Sequence, residues 1–139
     1  MSTTIDSTRF GRIEVAPDSA IAFPHGLAGL DSTRFTLVAR AADDAFLWLH
    51  SLEDPALALP VTDPRRFFAD FALEPAVPEG AAVYVTVRAS ERLEDFTANL
   101  RAPIVIADGI GEQVINEAPE AELRAPLFAQ LAAAAERAA

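Results

Sequence analysis

With 139 residues and 51% hydrophobic content, the chain has room for one domain with its own core and not for two. The absence of cysteine excludes disulfides, thiol catalysis and cysteine-based zinc or iron-sulfur sites. A formal net charge of −10, in which every basic side chain is Arg, sets the molecular field against a phosphate backbone and in favour of a basic partner.

The first ten residues carry no apolar leader, and no later stretch approaches the roughly 18 apolar residues of a membrane span, so a soluble, unexported protein is expected. Alternation in Phe10-Gly11-Arg12-Ile13-Glu14-Val15 predicts a half-buried strand with Phe10, Arg12 and Glu14 on one side and Ile13 and Val15 on the other. Pro17-Asp18 ends it, and Ala20 to Phe23 reads as a short second strand stopped by Pro24. Gly26 and Gly29 then permit a tight surface excursion before a third strand over Phe35 to Ala39.

Asp43-Asp44 marks a turn, and the continuous apolar run Phe46-Leu47-Trp48-Leu49 predicts a strand covered on both faces. Glu53-Asp54-Pro55 closes that strand, and Leu57 to Thr62 returns with Pro60 at an edge or bulge. After Asp63-Pro64, the spacing of Phe67, Phe68 and Phe71 fits one helical turn or a kinked loop whose aromatics close the core. Pro75, Pro78 and Gly80 form an interior loop, and Val83 to Arg88 alternates as a strand. The β-branched run that ends in Ile104-Val105-Ile106 reads as a core strand entered from a tight corner at Asn99 to Pro103. It is joined to Gln113-Val114-Ile115 by an Asp108-Gly109 hairpin turn. From Glu117 onward the period changes, placing Leu123, Leu127, Phe128, Leu131 and Ala135 on one face of a C-terminal helix. The expected fold is mainly β, a small antiparallel β-barrel-like single domain over 1–139, with its core at 9–128 and an Ala-rich helical tail at 129–139.

Chemistry-bearing constellations are sparse. Asp54, Asp63 and Asp70 sit in turns, two of them beside Pro, where Asp serves ordinary turn and cap chemistry rather than acid/base catalysis. His25 and His50 form no close metal-binding cluster, and Gly26-Leu27-Ala28-Gly29 lacks the Lys-Ser/Thr of a phosphate loop. Ser51 beside His50 is not a catalytic pair, because strand neighbours point to opposite faces. Trp48 and Tyr84 are expected in the core rather than in a base-stacking platform. Asn99 has two readings, one satisfying backbone groups at a corner and the other standing at an exposed contact. No enzyme, cofactor or metal is therefore expected.

Four ordered segments resemble the flagellar assembly factor FliW family: Phe-Pro-x-Gly-Leu-x-Gly at 23–29, Trp-Leu-x-Ser-Leu-x-Asp-Pro at 48–55, Val-Thr-Asp-Pro-x-x-Phe-Phe at 61–68, and Asp95 to Ile106. Arg124-x-Pro126-Leu127 resembles the family's closing segment, so the likeness runs from about Phe10 to Leu127. The resemblance implies a β-barrel-like cytoplasmic regulator that binds the translational repressor CsrA non-competitively with RNA. It also implies binding to flagellin, in a partner switch that controls flagellin synthesis. The alternative is a flagellin-dedicated export chaperone without CsrA regulation. Neither direct nucleic-acid binding nor a membrane is implied, and the free protein is expected to be a monomer. Candidate partner contacts are the acidic turn residues Glu53, Asp54, Asp63 and Asp70, with Asn99 and Arg101 at the corner.

Overall fold

Short alternating runs punctuated by Gly, Pro and Asp fold into strands of two to seven residues. A computed structural model describes residues 3–39, 45–68, 71–74, 79–119 and 121–128. An N-terminal antiparallel hairpin pairs β1 (Thr3–Ser7) with β2 (Gly11–Val15). The remaining strands are β3 (Ile21–Ala22), β4 (Arg34–Val38), β5 (Phe46–Ser51), β6 (Ala58–Thr62), β7 (Ala82–Arg88), β8 (Thr97–Ala98), β9 (Ile104–Ala107), β10 (Ile110–Gln113) and β11 (Ala125–Pro126). Their order is β11-β8-β7-β6-β5-β4-β3-β10-β9, and pairing of β7 with β9 closes β7, β6, β5, β4, β3, β10 and β9 into a barrel. All its ladders are antiparallel except the single contact of Ile110 with Ala22.

Two cores result. The barrel interior holds Ile21, Phe23, Leu27, Phe35, Leu49, Val61 and Ile104, with the Phe23 and Phe35 rings edge to face at 5.3 Å. Gly111 permits this packing, because a Cβ there would run into the Phe23 ring. A second core lies on the other face of β7, where Val85 and Val87 pack with Ala98, Leu100, Ala125 and Leu127. Phe67, Phe68 and Phe71 close that second core, as their spacing predicts. The β9–β10 turn places Asp108 and Gly109 at φ 53° and 76°, the left-handed pair that a two-residue hairpin needs.

Three expectations need correction. No helix covers 121–128: β11 pairs there with β8, Leu127 is buried, and Leu123 stands 62% exposed. Apolar spacing near the chain's end reflected a strand laid over β7; Leu131, Ala135 and the rest of 129–139 lie outside the described residues. Trp48 belongs to neither core. It is half-buried on the outside of β5, with Phe10 edge-on at 5.7 Å and the Arg9 guanidinium 4.4 Å from its ring centroid. Phe10 accordingly sits in the β1–β2 turn rather than in the strand, and β1 itself had no clear sequence signal. The turn expected at Asp43-Asp44 also falls outside the described residues.

Candidate partner-binding surface

The turn between β5 and β6 is built by Ser51. Its Oγ accepts the backbone N–H of Glu53 and of Asp54, both at 2.9 Å, and with both lone pairs so used it donates to Ser32 Oγ at 2.7 Å. Glu53 reaches back to the start of β4, where Oε1 accepts from Thr33 N at 2.7 Å and Arg34 N at 3.0 Å. The Thr33 backbone hydrogen bond, foremost among these contacts, holds the Glu53 carboxyl below its ordinary value. Asp54 Oδ1 accepts from Ala56 N at 3.0 Å. Glu53 and Asp54, with Asp31, Leu30 and Leu57, line an open hollow of about 380 Å³. None of its three carboxylates has an ion-pair partner within 4 Å among the described residues.

Asp63 lies at the other end of β6, about 16 Å away along five strand residues. There it caps a 3-10 turn over Pro64–Arg66 by accepting from Arg65 N at 2.9 Å. Burial, with the Asp63 charge second, pushes the Tyr84 phenol above its ordinary value. Asp70 lies outside the described residues. The acidic candidates are thus split: Glu53 and Asp54 share one end of the β5–β6 pair, and Asp63 occupies the opposite one.

Asn99 and Arg101 belong to the corner between β8 and β9. Asn99 Oδ1 accepts from Arg101 N at 3.0 Å and Ala102 N at 3.2 Å, so the oxygen is committed to the corner, as the first of its two readings requires. Its Nδ2 has no hydrogen-bond partner among the described residues, and Asn99 lines a groove of about 640 Å³. Arg101 is exposed, and its Nε donates to Ala121 O at 3.3 Å.

Beside the groove, Pro60 ends the β6–β7 ladder. Ser51 N donates to Leu57 O, so residues 57, 59 and 61 turn their backbone groups toward β5, and 58, 60 and 62 turn theirs toward β7. The β6–β7 ladder pairs Thr62 with Val85 and Val61 with Thr86. The Val61–Thr86 bridge takes Val87 N–H to Pro60 O, and the ladder stops there because proline has no N–H to return to Val87 O. Leu59 and Thr86, on either side of this seam, line the groove with Leu27, Leu30 and Ile104. Gln113 fixes its far wall: Oε1 accepts from Ala28 N at 3.0 Å and Nε2 donates to Ala102 O at 3.2 Å.

Two buried polar hubs escaped sequence reasoning. Asn116 Oδ1 accepts from Glu74 N and Ala118 N, both at 3.1 Å, while Nδ2 donates to Ala72 O at 2.9 Å and Leu100 O at 3.1 Å. Only its place between Ile115 and a Glu-Ala-Pro run hints at this. His50 is fully buried: Nε2 lies 2.7 Å from Ser7 Oγ and Nδ1 lies 2.8 Å from Ser51 O. Because Ser7 Oγ accepts from Arg9 N and Phe10 N, its own proton goes to Nε2, and Nδ1–H donates to the Ser51 carbonyl. The imidazole therefore locks the N-terminal hairpin to β5 and is sequestered from any ligand.

The FliW protein family matches residues 4–127. The chain belongs to the FliW family. A flagellar assembly factor FliW from Desulfitobacterium hafniense (strain Y51) is 32% identical, covering 91% of each chain. Another, from Alkaliphilus metalliredigens (strain QYMF), is 35% identical over 73% of this chain and 70% of its own. A crystal structure of the flagellar assembly factor FliW superimposes with a TM-score of 0.79 at 27% identity, covering 91% of this chain and 97% of that one. The barrel described above is thus a FliW barrel, and no helix among the described residues is long and apolar enough to cross a membrane.

Proposed function

We propose that this FliW-family chain is a cytoplasmic protein-binding regulator without catalytic activity. It binds a CsrA-type translational repressor and flagellin in alternation, so that the level of unexported flagellin sets how much CsrA is antagonised. Membership of the family over residues 4–127 carries this reading. The net charge of −10 supports a basic partner and argues against direct RNA binding. The acidic hollow of Asp31, Glu53 and Asp54 is the surface best suited to that partner, with Asp63, Asp70, Asn99 and Arg101 as further contacts. The free protein acts as a monomeric single domain, its tail at 129–139 an extension of the core.

A bound acidic chain lowers the potential that draws phosphates to CsrA, so RNA is excluded without overlap of the two sites. Titration of RNA into the CsrA complex tests this at several salt concentrations. The ratio of CsrA's RNA affinities with and without this protein should approach unity as salt rises, with only limited displacement of the protein by RNA. Full displacement, scaling as simple competition at every salt concentration, overturns the non-competitive mode. Binding to flagellin with none to CsrA supports a dedicated export chaperone instead.

A further inference from the structure

The groove beside β6 and β7 joins the rim of the barrel core to polar side chains that have no partner among the described residues. Its floor is aliphatic, formed by Leu27, Leu59 and Ile104. Above that floor, Asn99 Nδ2 and Thr86 Oγ1 have no hydrogen-bond partner among the described residues. One is a donor, and the other both donates and accepts, which suits the alternating carbonyl and amide groups of a peptide backbone.

Charge identifies what else the ligand carries. Leu30 lines both this groove and the hollow of Asp31, Glu53 and Asp54, so the aliphatic slot and the acidic one adjoin across that side chain. Glu112 adds a further carboxylate to the groove lining. We propose that the groove receives an extended segment of a partner protein, with one large aliphatic side chain on the Leu27–Leu59–Ile104 floor and a neighbouring Lys or Arg over the Asp31 hollow. The segment is held by side-chain hydrogen bonds from Asn99 and Thr86, with the pocket selecting its side chain. This rests on the protein-binding reading above and assigns that reading a recognition site.

Panning a library of displayed 12-residue peptides on the intact protein tests the proposal without presupposing a partner. Recovered peptides should pair an aliphatic residue with Lys or Arg and shift the amide resonances of Leu59, Thr86 and Asn99. They should bind at least tenfold more weakly to Ala28→Trp, which fills the groove from an exposed position, and more weakly to Thr86→Val, with unchanged melting temperatures. The double variant Asp31→Asn/Asp54→Asn should reduce the basic preference while leaving aliphatic selection. Failure to recover peptides, or equal binding to Ala28→Trp, overturns the proposal. Parallel binding of the two proposed partners separates the two conclusions. If both partners bind and no peptide is sensitive to Ala28→Trp, the groove is refuted and the partner reading stands; groove-sensitive peptides without partner binding mean the reverse.

Discussion

Phe23 and Trp48 both lie in apolar runs bounded by turn residues, and burial separates them. Phe23 is fully enclosed in the barrel against Phe35, so Phe23→Ala should cost about 3–5 kcal/mol. Trp48 keeps one side toward Arg9 and solvent, and Trp48→Ala should cost only about 1–2 kcal/mol, from partial burial and a cation–π contact. Chemical denaturation of the two variants compares them directly, and equal losses would place the Trp48 ring in a core. Glu53 carries a pH dependence of known sign. Its folded value lies below the ordinary 4.5, so its contribution is complete above about pH 4.5 and fades as pH falls through the lower, folded value. Wild type should therefore lose melting temperature more steeply than Glu53→Gln as pH drops below 4.5, and parallel curves would deny the Thr33 and Arg34 contacts a stabilising role. Glu53 read as a turn carboxylate from sequence alone; that its partner is the backbone of β4, twenty residues back, follows only from the β4–β5 register.

Among the elements, β6 shows how one side chain ends a ladder. Pro60 was expected at an edge or a bulge, and it stands in a central strand of the barrel order, where its carbonyl faces β7 and it has no N–H to offer. Replacing Pro60 with Val restores an N–H and adds a β-branched residue, which extends the ladder to residue 87. Hydrogen exchange should then show a protected amide at position 60 and the melting temperature should rise. An unprotected amide at 60 would mean that something other than the missing donor ends the ladder. The β9–β10 hairpin was legible because Asp108-Gly109 is a local signal for a two-residue turn. Over 121–128 the helical reading failed because Leu123, Leu127 and Phe128 satisfy a helical spacing by composition, whereas β8 offers an edge that captures Ala125-Pro126. Local periodicity cannot report a partner strand twenty-seven residues earlier in the chain.

At the scale of the molecule, barrel closure divides the acidic residues. Glu53 and Asp54 join Asp31 in one hollow, while Asp63 caps a turn at the far end of β6. If a basic partner uses the hollow, Asp31→Asn/Asp54→Asn should weaken CsrA binding several-fold and flatten its salt dependence, and Asp63→Asn should change it little. Equal effects in a binding titration would point to the whole field of the chain rather than to one hollow. The sequence by itself determined the mainly β class, the turn at Asp108-Gly109, the acidic field and the family, because these depend on composition, local backbone chemistry and ordered motifs. Tertiary structure alone decided that Asn99 lines a groove, that His50 is locked between Ser7 and Ser51, and that Trp48 faces outward. Each of these depends on which distant strand lies alongside, and that is set by barrel closure, a collective property of all the ladders rather than of any one segment.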